Sequence, residues 1–167
     1  MTEDLTYDKI FDLMDCRFSK KNVLYEHLQN SYNELVIQII NYLEKNKNIP
    51  NRAVIYDIDD TLIFSSGEPN RDVIYTYNYA RKLGYTPFII TAREGNYNNM
   101  KYTVEQLEKN NIKGFRRLYF RPKDKSDIYR YKLLSRKNIY DNNYNTILSF
   151  GDMYWDIGKY GGIGVKI

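Results

Sequence analysis

The chain has one cysteine, one histidine and one tryptophan in 167 residues. A single thiol, Cys16, excludes an internal disulfide framework and agrees with a reducing compartment. It also misses the C-x₅-R spacing of cysteine phosphatases, because position 22 is Asn22. The lone histidine, His27, stands on a polar helical stretch, a poor setting for a phosphohistidine. No segment approaches the ~18 apolar residues of a membrane span. The N-terminal MTEDLTYDKIFDLMD is acidic and lacks a basic-then-apolar leader, so a cytoplasmic protein is expected. G-x-x-x-x-G-K is missing, and GGIGV (161–165) has no helix after it, which removes the P-loop and dinucleotide-loop readings. Repeats, low-complexity linkers and Pro/Gly/Ser hinges are also missing.

What is present is globular. The hydrophobic fraction is 43% and the aromatic fraction 16%, and the length suits one domain with a real core. The net charge of +4 is unevenly spread. From Lys113 to Lys137 the chain is strongly basic, opposed only by Asp124 and Asp127. Such a run favours an anionic partner, from a small phosphate ester to nucleic acid.

Leu28, Tyr32, Leu35, Val36, Ile39, Ile40 and Leu43 recur at helical spacing, and Pro50 follows. Residues 1–50 are therefore read as a helical extension packing on a core of residues 51–167. In the core, strand and helix patterns alternate. Strands are predicted at 52–57, 86–91, 117–120, 145–150 and 163–167. Helices are predicted near 70–83, 96–110 and 126–138, with Asn70, Asn96 and Ser126 as N-caps. The second helix should turn Met100, Val104 and Leu107 inward. This alternation argues for an α/β fold, a parallel sheet flanked by helices. Ligands of such sheets bind beyond the carboxyl ends of the strands. Asp57 and Asp59, Thr91 and Asp152 fall at those ends, with Lys132 in the third helix.

AVIYDIDDTLI (53–63) drives a buried strand into three carboxylates within four positions. Acids that close repel one another unless a cation, proton or substrate neutralises them. Phosphoryl transfer fits: a carboxylate as nucleophile, a hard cation on oxygen ligands, a lysine and a hydroxyl on the phosphoryl oxygens, and a second acid for the leaving group.

These residues resemble the motifs of the haloacid dehalogenase (HAD) superfamily of phosphatases. DIDDTL (57–62) matches D-x-D-x-T, FIIT (88–91) the second motif, Lys132 the third, and GDMYWD (151–156) matches G-D-x-x-x-D. Within the superfamily the chain is most similar to the class B, subfamily IIIB acid phosphatases and the related plant vegetative storage proteins. The carriers are AVIYDIDDTLI, FIITARE, LYFRPKD with YKLLSRKNI, and ILSFGDMYWDI. The resemblance implies a HAD-type Rossmann-like core, and the short segment Ile63–Thr86 leaves no room for a large cap domain. It implies Asp57 as nucleophile and Asp59 as general acid/base. Mg²⁺ would be held by Asp57, the Asp59 carbonyl and Asp152, with Asp156 behind them. Thr91 and Lys132 would grip the phosphoryl group, and Arg93 and Thr61 would serve substrate binding. Asp60 stands where many HAD phosphatases have glycine, and Ala92 replaces the glycine of the branch's T-G-R. The segment Ile63–Thr86 is shorter than the covering insert of the branch. The leading expectation is a Mg²⁺-dependent phosphomonoesterase acting on a phosphorylated small molecule or nucleotide. The alternatives are a nucleic-acid-end phosphatase using the basic 113–137 stretch and a low-turnover scaffold. The N-terminal helices leave room for a homodimer; no membrane partner is expected.

Overall fold

The computed structural model describes residues 16–19, 31–123 and 127–167. The elements are β1 (Cys16–Ser19), α1 (Ser31–Lys45), β2 (Arg52–Tyr56), α2 (Arg71–Lys82), β3 (Thr86–Glu94), α3 (Tyr97–Lys109), β4 (Arg117–Arg121), α4 (Ile128–Asp141), β5 (Asn145–Gly151) and β6 (Ile163–Lys166). The strands form a six-stranded sheet in the order β1-β6-β5-β2-β3-β4. Every pairing is parallel. The fold is the α/β architecture the alternation implied, and residues 57–70 between β2 and α2 are a loop rather than a cap domain.

A strand between two neighbours exposes alternate side chains to opposite faces. In β2, Val54 and Tyr56 pack on one face with Leu35, Ile39 and Leu43 of α1 and Val73, Tyr77 and Ala80 of α2. Ala53 and Ile55 pack on the other with Phe88, Ile90, Tyr131 and Ile139. Tyr56 stacks on Phe150 with ring centroids 4.2 Å apart and keeps its hydroxyl satisfied on Thr76 at 2.9 Å. Burying Leu35, Ile39 and Leu43 contributes roughly 1.5–3 kcal/mol each, and this holds α1 on the sheet.

The structure corrects several local expectations. Met100 and Val104 are exposed, whereas Thr103 and Leu107 face inward. The inner stripe of α3 is rotated because the Thr103 hydroxyl receives a hydrogen bond from Arg93 at 3.0 Å, which makes a buried threonine acceptable. Asn70 sits at the N-cap of α2 but its side chain makes no capping bond. Asn96 does cap α3, accepting from the Asn99 amide. The cap of α4 is Asp127, accepting from the Arg130 amide; Ser126 lies outside the described residues, as do His27 and Leu28. β1 lies in the segment read as helical and pairs with β6 at the sheet edge. Cys16, Arg17, Phe18 and Ser19 do alternate apolar and polar, but four residues are too short a run to be read as a strand.

Candidate active site

β2 sits between β5 and β3, where the connections leave in opposite directions. That reversal opens a crevice above the carboxyl end of β2, and there the chain places its acids. Asp57 still pairs with β5, its amide donating to the Phe150 carbonyl at 3.0 Å. Beyond it the chain turns tightly: the amides of Thr61 and Ile63 both donate to the Ile58 carbonyl. Ile58, Leu62 and Ile63 are buried, so apolar anchors alternate with the acids and pin the loop.

Asp60 adopts φ 58, the left-handed region in which a Cβ is costly and Asp or Asn is among the tolerated residues. Its carboxylate accepts from the Ser65 amide at 2.7 Å and the Ser65 hydroxyl at 2.6 Å, and these bonds hold it below the usual carboxylate range. The acid that replaces a glycine therefore clamps the loop that follows.

Lys132 is fully buried and reaches across from α4. Its ammonium donates to Asp57 Oδ1 at 2.7 Å and to the Ile90 carbonyl at 2.6 Å, and it lies 2.7 Å from Asp156 Oδ1 in an ion pair. Of the basic residues near the loop, Lys123 is exposed and Lys125 lies outside the described residues. Burial opposes the charge on Lys132, but the Asp57 and Asp156 carboxylates outweigh it and hold the ammonium above its ordinary value. Burial pushes the Asp57 carboxyl up, against the pull of Lys132, and the nearby Asp156 and Asp152 charges add to the push. Burial and Asp156 likewise raise Asp152.

Thr61 donates to Asp57 Oδ2 at 3.3 Å. Thr91 is buried within β3, which runs on to Glu94, and its hydroxyl accepts from the Arg93 amide at 3.2 Å. Register places it beside the site: Ile89 pairs with Tyr56, and the Ile90 carbonyl touches Lys132. Arg93 is bidentate on Asp59, Nε to Oδ2 at 3.1 Å and Nη2 to Oδ1 at 2.8 Å. Asp152 and Asp156 come from the end of β5 and the turn after it. Asp156 Oδ2 accepts from the Met153 amide at 3.0 Å. Gly151 is required there, since a Cβ would lie 2.0 Å from Asp156 Cβ.

Asp57, Asp152 and Asp156 each bring a carboxylate oxygen within 4.8 Å of the others. Three hard oxygen donors converging, two of them the Asp57 and Asp152 carboxyls whose charge burial disfavours, fit a hard divalent cation such as Mg²⁺. Two contributors carry roles that the sequence reading did not assign, although Arg136 lies in its YKLLSRKNI stretch. Fully buried Arg136, one turn after Lys132, donates to the Trp155 carbonyl at 2.7 Å and the Lys159 carbonyl at 2.9 Å, tying the Asp156 turn to α4. Lys166 donates to the Asp152 carbonyl. The i, i+4 spacing of Lys132 and Arg136 is the sequence signal for the first; nothing local marks the second.

Residues 66–162, more than half of the sequence, match the family model described as HAD superfamily, subfamily IIIB (acid phosphatase). The chain belongs to this family. Membership makes it a phosphoric monoester hydrolase by family. The matched span begins after the D-x-D-x-T loop, so the placement of Asp57, Asp59 and Thr61 rests on the geometry just described. Among solved structures, the class C acid phosphatase from Bacillus anthracis is similar, with a TM-score of 0.57 at 15% identity, over 89% of this chain and 72% of that one. That likeness supports the HAD fold. No curated protein matches the sequence. No helix among the described residues is long and apolar enough to cross a membrane.

Proposed function

We propose that the protein is a Mg²⁺-dependent phosphomonoesterase that works through an aspartyl-phosphate on Asp57. The observation that carries this reading is the buried triad of Asp57, Lys132 and Asp156, with Asp152 beside it. Asp57 attacks phosphorus, and the bond to the ester oxygen breaks. Asp59, at the mouth of the crevice, gives its proton to that oxygen. Water then attacks the phosphoryl-enzyme while Asp59 takes back a proton, and the Asp57–phosphorus bond breaks to release phosphate. Lys132 and Thr91 face the phosphoryl oxygens, and Thr61 orients Asp57. Asp57, Asp152 and the Asp59 carbonyl would hold the cation, with Asp156 supporting it; when bound it supplies charge neutralisation on the transferring group.

A second reading narrows the substrate to a nucleotide or a nucleic-acid end. What favours it is the exposed pair Phe64 and Tyr102 beside Asp59 and Arg93, a surface on which a base can stack. The test is hydrolysis of 4-nitrophenyl phosphate with Mg²⁺ or EDTA, beside Asp57→Asn. Metal-dependent turnover that vanishes in the variant supports the reaction class. Equal rates for the two proteins, or an inert wild type, overturn it.

A further inference from the structure

β3 and β4 pair residue for residue from Phe88↔Arg117 to Ile90↔Tyr119, and the register then breaks. Pairing resumes at Glu94↔Arg121, so Thr91, Ala92 and Arg93 stand opposite the single residue Phe120. On its other side β3 pairs with β2 no further than Ile89↔Tyr56. A bulge of this kind bends a strand and re-aims its side chains, and bulges are over-represented beside active sites. Here the two neighbours of Ala92 serve different partners. Thr91 stays buried, one residue after the carbonyl that holds Lys132. Arg93 reaches Asp59 and Thr103.

Three residues facing one leave backbone groups that must find partners outside the regular ladder. The Arg93 amide donates to Thr91 Oγ1 at 3.2 Å. The Ala92 carbonyl accepts from Arg121 Nε at 2.9 Å, from 29 positions away. The Gly95 amide donates to the Arg121 carbonyl at 2.8 Å and closes the far side of the bulge. Arg121 therefore grips the bulge twice, once by its side chain and once by its backbone. Its Nε belongs to a rigid guanidinium plane, which sets the direction of the Ala92 carbonyl more tightly than a flexible ammonium would. We propose that Arg121 is a positioning residue for the active site. Through the Ala92 carbonyl it holds the bulge in the shape that delivers Thr91 to the phosphoryl group and Arg93 to Asp59. This inference rests on the phosphatase reading and adds to it a residue that the reaction needs although it acts through others.

The experiment measures kcat/KM on an alkyl phosphate and on 4-nitrophenyl phosphate with Mg²⁺. The proteins are wild type, Arg121→Met, Arg121→Lys, Arg93→Lys and the double variant of Arg93→Lys with Arg121→Met. Small displacements of positioned groups are costly, so Arg121→Met should lose on the order of tenfold more on the alkyl ester than on the nitrophenyl ester. The contrast reads the alignment of Asp59, because a good leaving group needs little proton donation. In the Arg93→Lys background Arg121→Met should add little to the contrast, since the fork that it positions is already gone. Arg121→Lys keeps the charge and a donor, and should show the same contrast in smaller measure, about threefold, at wild-type Tm. If Arg121→Met does not fold, Arg121→Lys decides alone, and a Lys variant equal to wild type on both esters then overturns the role. Equal losses on the two esters, with a raised KM, would assign Arg121 to direct phosphate binding and overturn it too. So would contrasts that simply multiply in the double variant. In each of these cases hydrolysis of 4-nitrophenyl phosphate by the wild type keeps the phosphatase reading. A wild type inert on that ester with Mg²⁺ overturns both.

Discussion

Arg93 holds Asp59 in a two-point grip, 3.1 Å and 2.8 Å, while Thr103 steadies the same guanidinium at 3.0 Å. The residue expected to touch substrate therefore also fixes the direction of the general acid. The two roles separate on leaving groups. Arg93→Lys keeps the charge and loses the fork. If Arg93 positions Asp59, this variant should slow an alkyl phosphate by on the order of 10²-fold and 4-nitrophenyl phosphate much less, since a good leaving group needs little proton donation. Asp59→Asn should show the same contrast. An equal loss on both substrates would assign Arg93 to phosphate binding alone.

Lys132 neutralises two buried carboxylates at once, so removing it leaves both uncompensated. Lys132→Met should lower metal-free stability by about 3–5 kcal/mol, the usual consequence of breaking a buried ion pair. Added Mg²⁺ should recover part of the loss, because the cation restores positive charge beside Asp57. Chemical denaturation with and without Mg²⁺ measures both. A variant as stable as wild type in EDTA would show that the ion pair is not formed in solution.

The raised Asp57 and Asp152 carboxyls give the metal-free protein a pH slope of defined sign. A carboxyl held above its unfolded value stabilises the fold most when it is protonated, and the contribution is lost as pH rises through the folded value. In EDTA, Tm should fall from about pH 5 to about pH 8. Lys132, held above the ordinary lysine range, keeps its contribution throughout this window. Asp60 works the other way, losing its contribution only as pH falls through the acid range. Mg²⁺ should raise Tm most at the upper end, and Asp57→Asn should flatten the slope. A Tm that climbs with pH in EDTA contradicts the burial of these acids.

Gly151 sits against Asp156 with no room for a methyl group. Gly151→Ala should cost about 1–3 kcal/mol through overpacking and should weaken Mg²⁺ activation, since Asp156 must move. Gly67→Ala is a control in open space, although its φ of 91 carries its own strain. An alanine at 151 with wild-type metal dependence would mean that the Asp156 turn adapts freely.

Much of the chemistry is legible along the chain because its signals are short-range. D-x-D-x-T, the threonine after an apolar strand, and G-D-x-x-x-D lie within single loops, and strand-helix alternation alone sends those loops to one sheet edge. The third motif was harder. Several lysines crowd 123–137, and only the packing of α4 shows that Lys132 is the one buried between Asp57 and Asp156.

Local patterning determined the parallel α/β core and the edge on which the acids meet, because side-chain periodicity is set by backbone geometry within each element. Tertiary structure decided which charges pair. Arg93 meets Asp59 from 34 positions away, Lys132 meets Asp57 from 75, and Arg136 ties down the turn that carries Asp156. It also turned Thr103 rather than Met100 inward and brought Cys16–Ser19 into the sheet beside β6. The reason is physical: a buried charge or hydroxyl is tolerable only where a partner from another element reaches it, and that partner is fixed by packing, not by neighbours in sequence.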